Sequence, residues 1–254
     1  MKKFGNEYIN LTWSAPIDDG GLEITGYKLY RFTGASNDPL VVPLEYGIND
    51  YFDIDVKNGI NYRYRLTAIN PMGESPPAPE VNATPRTYPG MVDVLEATAG
   101  PGFVLLRWDP PSDDGGSPVL NYTIQRAEVN NSQWTKFVLP GQLLEYNDTS
   151  VVNGRYYRYI INVRNEVGSS RYTEEVVARP ISKPSPPRSL QITMSDGTTH
   201  LGWEAPSTDG GAPVLYFTVY RMGSLVWNGI ENVEPTELAF VDTSVQNGKN
   251  YRYV

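Results

Sequence analysis

The chain contains no cysteine. That absence excludes disulfides, thiolate nucleophiles and cysteine-ligated metals together, and leaves the compartment open. Histidine is almost missing too, since His200 stands alone among 254 residues. A hydrolytic triad would have to rest on that one imidazole. No apolar run approaches the ~18 residues that a membrane-crossing helix needs. Basic runs are also lacking. With 21 Lys and Arg against 29 Asp and Glu, the formal charge is −8. Phosphate backbones require clustered Lys and Arg, so nucleic acid is not an expected partner. No basic amphipathic helix suits a membrane surface, and no membrane insertion is expected within this chain.

Glycine (23), proline (21) and tyrosine (18) are plentiful. Many short strands joined by turns have this composition. Internal repetition gives it order. Trp13, Trp108 and Trp203 recur at steps of 95 residues, and "PIDDGG" (16–21) returns as "PSDDGG" (111–116) and "PSTDGG" (206–211). Asn58-Gly59 returns as Asn153-Gly154 and Asn247-Gly248, Tyr62 as Tyr157 and Tyr251, and Arg31 as Arg126 and Arg221. One unit is therefore present in about three copies. Within a unit the pattern has period two. Ile9, Leu11 and Trp13 alternate with Asn10 and Thr12, and Tyr62, Tyr64, Leu66 and Ala68 alternate with Arg63, Arg65, Thr67 and Ile69. Such alternation predicts strands with one buried face, and no window has helical spacing. The expected class is all-β, with antiparallel sandwiches in tandem.

The order "INLTWSAP…DDGG…ITGYKLYR…NGINYRYRLTAIN…GES" resembles the fibronectin type III domain. The tryptophan of the second strand, the tyrosine that begins the penultimate strand and the "A-x-N-x-x-G-x-S" segment carry the resemblance, which covers nearly the whole chain. It implies immunoglobulin-like β-sandwiches, with Trp13, Trp108 and Trp203 in the cores. Tyr62, Tyr157 and Tyr251 fall at the tyrosine-corner position, where the hydroxyl bonds nearby backbone. The expected units are 1–86, lacking its first strand, 87–181, complete, and 182–254, truncated before its last strands. The proline-rich joints "TPRTYPG" (84–90) and "RPISKPSPPRS" (179–189) favour an extended string.

The acidic loops invite a metal reading: Asp18, Asp19, Gly20, Gly21 in the first copy, Asp113, Asp114, Gly115, Gly116 in the second, and Asp209, Gly210, Gly211 in the third. A calcium loop needs several oxygens converging on one point. Thr208 replaces the first aspartate of the third copy, which a turn tolerates and a metal site does not. These loops are expected to be turns, with no metal, no cofactor and no catalytic residue. Adjacent carboxylates also lack the separation of a glycosidase pair. His200 aligns with Asn10 and Leu105 and is expected at the surface. Sequons at Asn10, Asn82, Asn121, Asn130 and Asn147 are compatible with glycosylation.

There is no Arg-Gly-Asp, so the integrin-binding loop known in the family is not expected. The resemblance implies a non-catalytic structural or adhesive array in a cell-surface or secreted protein, with other proteins or surface polymers as partners. Two alternatives stand beside it. One is an accessory spacer of a secreted carbohydrate-active enzyme. The other is an intracellular muscle-type array, because "DPPSDDGGSPVLNYTIQR" is similar to the repeats of giant sarcomeric proteins.

Overall fold

The computed structural model describes residues 2–222 and 227–254. Among them there is no helix, only strands, turns and irregular segments. The first unit contains β1 (Lys2–Gly5), β2 (Tyr8–Thr12), β3 (Gly26–Thr33), β4 (Leu40–Glu45), β5 (Asp50–Asp53), β6 (Tyr62–Asn70), β7 (Gly73–Glu74) and β8 (Val81–Ala83). The second has β9 (Leu95–Gly100), β10 (Phe103–Trp108), β11 (Asn121–Glu128), β12 (Thr135–Pro140), β13 (Glu145–Asp148), β14 (Tyr157–Arg164) and β15 (Val176–Ala178). The third has β16 (Arg188–Ser195), β17 (Thr198–Glu204), β18 (Phe217–Met222), β19 (Trp227–Val233), β20 (Ala239–Asp242) and β21 (Arg252–Tyr253).

Each unit is a pair of antiparallel sheets. In the second, the order β13-β10-β9 faces β12-β11-β14-β15. The first repeats this as β1-β2-β5 against β4-β3-β6, with β7 and β8 both on β6. The third has β16-β17-β20 and β19-β18-β21. Pro43 and Pro140 fall in β4 and β12, edge strands on which a missing N–H costs no ladder bond.

The alternation in sequence becomes the burial pattern. Ile9 and Leu11 on β2, and Val104, Leu106 and Trp108 on β10, face inward, as do Leu201 and Trp203 on β17. In the second unit they pack against Tyr122, Ile124, Tyr159, Ile161 and Val163 from the opposite sheet. The tryptophan meets an aromatic edge at the same place each time. The pairs are Trp13–Tyr27, Trp108–Tyr122 and Trp203–Phe217, with ring centroids 5.9, 5.3 and 5.6 Å apart. Trp108 and Trp203 are buried, and Trp13 is half-buried against its core.

One expectation needs correction. The first unit does not lack its whole first strand. Lys2–Gly5 pair with Tyr8–Leu11, as Ala97–Gly100 pair with Phe103–Leu106 95 residues later. The hairpin holds because the Asn58 side chain bonds both of its turn residues: the Glu7 N–H donates to Asn58 Oδ1, and Asn58 Nδ2 donates to Asn6 Oδ1. Asn153 and Asn247 bind the N–H of Gly102 and Gly197 in the same way. In the second unit Leu95 and Ala97 of β9 pack against the core beside β15. No counterpart of β15 occurs in the third unit among the described residues, and Leu190 and Ile192 of β16 are exposed there.

Replacing Trp108 by alanine removes the largest inward side chain of β10 and leaves a cavity between the sheets. The expected cost is about 3–5 kcal/mol, read as a separate, lowered transition for the second unit in calorimetry. A cooperative melt near the parent temperature would contradict this placement.

Candidate functional site

A buried carboxylate lies between the two sheets of every unit. Asp53, at the end of β5, is 1% exposed; Asp148 and Asp242, on β13 and β20, are 0% and 2% exposed. An unpaired charge at such a position would be costly. Each is met from the opposite sheet by an arginine and a tyrosine. Arg126 Nη1 donates to Asp148 Oδ2 at 2.7 Å and the Tyr159 hydroxyl donates to the same oxygen at 3.0 Å. Arg31 and Tyr64 hold Asp53 at 2.9 and 2.8 Å, and Arg221 and Tyr253 hold Asp242 at 2.7 and 2.9 Å. The chain two residues on completes the set. The N–H of Asp55, Ser150 and Ser244 each donates back to the carboxylate. The Ser150 and Ser244 hydroxyls do the same at 2.7 Å.

The guanidinium has a second contact. Arg31, Arg126 and Arg221 lie over the rings of Tyr62, Tyr157 and Tyr251, at 5.7, 5.4 and 5.2 Å from the centroids. The hydroxyls of those tyrosines accept the backbone N–H of Lys57, Val152 and Gln246, five residues upstream. Corner tyrosine, arginine and carboxylate therefore form one connected network that staples sheet to sheet.

Burial opposes the charge on Asp148, but hydrogen bonds from Ser150 and the Arg126 guanidinium outweigh it and hold the carboxyl below its ordinary range. Asp242 is held down in the same manner, chiefly by Ser244 with Tyr253 and Arg221. Burial pushes the Tyr159 hydroxyl far up, and the neighbouring Asp148 charge adds to it. Each carboxylate accepts several hydrogen bonds at once, while in the first unit the Arg31 Nε–H is buried without a partner.

The sequence-predicted loops are turns built from their own side chains. The Gly20 and Gly21 N–H groups donate to Asp18 and Asp19 at 2.9 and 2.8 Å. Those of Gly115 and Gly116 donate to Asp113 and Asp114. In the third copy Gly210 donates to the Thr208 hydroxyl and Gly211 to Asp209. Threonine thus performs the first aspartate's role, as an oxygen acceptor two residues ahead. All six glycines have φ between 70° and 89°. No group of three or more His, Cys, Asp or Glu with metal-binding geometry occurs among the described residues. His200 is exposed on β17. Of the sequons, Asn82, Asn130 and Asn147 are exposed. Asn10 and Asn121 are half-buried on strands, and Asn10 Oδ1 is buried with no hydrogen-bond partner.

Sequence reasoning marked Arg31, Arg126 and Arg221 as recurrent and put Tyr64 on an inward face, but did not join them and did not single out the aspartates they meet. Asp53, Asp148 and Asp242 recur at steps of 95 and 94, the same signal that marks Tyr62 and its copies.

No family model matches the chain. Titin of Drosophila melanogaster is 30% identical over 243 residues, which is 90% of this chain and 1% of that protein. Human Fibronectin type-III domain-containing protein 3A is 25% identical over 236 residues, covering 90% of this chain and 19% of the relative. Human Cell adhesion molecule DSCAM is 31% identical over 132 residues, covering 49% and 6%. The chain therefore spans no more than about a fifth of any of these three relatives.

Acid should weaken the staple first. The folded Asp148 and Asp242 titrate below their unfolded values, so their stabilisation is complete above about pH 4 and is lost as pH falls through the folded values. The melting temperature should drop steeply below about pH 4, and Asp148→Asn should flatten that dependence for the second unit. At neutral pH, Arg126→Ala should cost about 3–5 kcal/mol by stranding a buried charge. A denaturant midpoint within error of the parent would remove the staple from the stability of the fold.

Proposed function

From a chain that is a tandem array of fibronectin type III repeats, we infer a non-catalytic structural array that spaces and presents protein-interaction surfaces within a larger protein. The observation that carries this reading is what the copies share. The Arg–Asp–Tyr staple, the corner tyrosine and the double-glycine turn recur in all three units. The exposed loop side chains differ: "NPMGES" (70–75) stands where the second unit has "NEVGSS" (165–170). Repetition of a frame with variation of its loops suits a spacer that offers different contacts along its length. The partners are other proteins or surface polymers.

The staple also suits a chain under tension. Pulling on a unit must separate its two sheets, and the buried charge resists that separation until arginine and tyrosine leave it together. In a single-molecule pulling experiment the second unit should lengthen in one discrete step. A smooth extension with no step would remove the force-resisting part of the reading.

A cell-surface or secreted setting is the first reading of place. A second, intracellular and muscle-type, is favoured by the match to titin, which runs across 90% of this chain. The sequons separate them. On the native protein, mass spectrometry should find glycans at the exposed Asn82, Asn130 or Asn147, with Asn10 and Asn121 unmodified. All five asparagines bare would favour the intracellular reading.

A further inference from the structure

The double-glycine turns do more than reverse the chain, because in two copies they carry the contact between units. A flexible linkage is the ordinary expectation for modules joined by short linkers. Here the same backbone bonds occur at both junctions. Thr87 N–H donates to Gly115 O, and Gly90 N–H to Asp113 O, both at 2.8 Å. Ninety-five residues later Ser182 N–H donates to Gly210 O at 2.8 Å and Ser185 N–H to Thr208 O at 3.0 Å. Upstream, Gly59 and Gly154 donate to Pro85 O and Pro180 O at 3.0 and 2.8 Å, binding the start of each linker to the unit it leaves.

Glycine meets glycine across each junction. A Cβ placed on Gly59 would lie 3.1 Å from Gly116 Cα, and one on Gly154 would lie 2.9 Å from Gly211 Cα. A Cβ on Gly116 or Gly211 would run into the backbone of the preceding Asn-Gly turn, and one on Gly115 or Gly210 into the linker carbonyls of Thr87 or Ser182. The second junction is also bridged by Arg179, which donates to Gly154 O at 3.1 Å and to Gly211 O at 2.7 Å. At the first, the buried Asn165 side chain donates to Thr87 O and Asp114 O, each at 2.8 Å.

The first unit supplies the comparison. Gly20 and Gly21 have the same turn, yet a Cβ on Gly21 meets nothing within 4 Å and one on Gly20 only the Asn70 amide at 3.5 Å. Asn70 donates to Asp19 O at 2.9 Å, as Asn165 does to Asp114 O. The groove beside them, lined by Asp18, Asp19, Asn70 and Gly73, is open and about 640 Å³ in volume. In the second unit the corresponding site receives linker residues: Thr87 O is bonded by Asn165, and the Tyr88 ring lies against Gly168, the counterpart of Gly73.

We propose that each double-glycine turn is a docking socket whose occupant is the Asn-Gly turn and proline-flanked linker of the preceding unit, and that it fixes successive units in one orientation. The second glycine is needed for that approach, beyond its need for positive φ. The proposal concerns the geometry of the array and stands whether the array spaces, adheres or bears force.

The absence of native cysteine makes the test direct. Spin labels on Asn37→Cys and Gln133→Cys, both at exposed sites in the first and second units, report their separation by pulsed electron resonance in the full chain. The parent and Gly21→Ala should give one narrow distance distribution, and Gly116→Ala should lose it. Gly59→Ala should do the same while Gly47→Ala, at a first-unit turn with φ of 88° and nothing within 4 Å, should not. This second pair decides the matter if Gly116→Ala disrupts folding. A broad distribution in the parent, or the same change in the socket variants and their open controls, would overturn the proposal.

Discussion

A charge taken out of water between two sheets is the constraint on which each unit depends. The carboxylates of Asp53, Asp148 and Asp242 are buried, and a buried charge is tolerated only where several donors converge. Those donors come from the opposite sheet and from two residues along the chain. The sheets must therefore sit at one separation and one register. A sandwich held by apolar packing alone tolerates sliding of one layer on the other; a carboxylate held by a guanidinium and a phenol does not. The corner tyrosine extends this specification outward, since it stacks under the arginine and ties down the loop before its own strand.

The asparagine-glycine turn links the unit's interior to its exterior. Its asparagine reaches back to the first hairpin of its own unit. Its glycine, where another unit follows, meets that unit's double-glycine turn. Two adjacent residues thus serve two different partners, one through a side chain and one through the lack of it. That division accounts for the dipeptide at 58–59 and 153–154; at 247–248 the asparagine has the same role, and the glycine meets only the need for positive φ.

Much of this was legible in the sequence. Period-two alternation marks the inward faces of β2, β6, β10 and β14, because successive side chains of a strand point to opposite faces of its sheet. The 95-residue step marks the turns and the corner tyrosines. The threonine at 208 keeps an oxygen acceptor two residues ahead of its glycine, and its hydroxyl accepts the Gly210 N–H. What escaped has physical reasons. Aspartate is usually a surface residue, so Asp148 in a strand reads as an outward position until its partners are seen. Lys2–Gly5 is too short and too polar to announce itself, and becomes a strand only by pairing with its neighbour. The glycine contacts between units join residues 57 positions apart, as at Gly59 and Gly116, through a missing side chain, which no pattern in one chain displays.

The linker prolines carry a final consequence. Pro85 and Pro89 recur as Pro180 and Pro184, and the backbone bonds around them match in kind and register. When every joint is the same rigid displacement, repetition generates a screw. Its pitch belongs to the joint, whatever the sandwiches carry on their loops. A partner that reads equivalent faces on successive units would then meet them at a constant phase around the axis, so spacing along such an array also encodes angle.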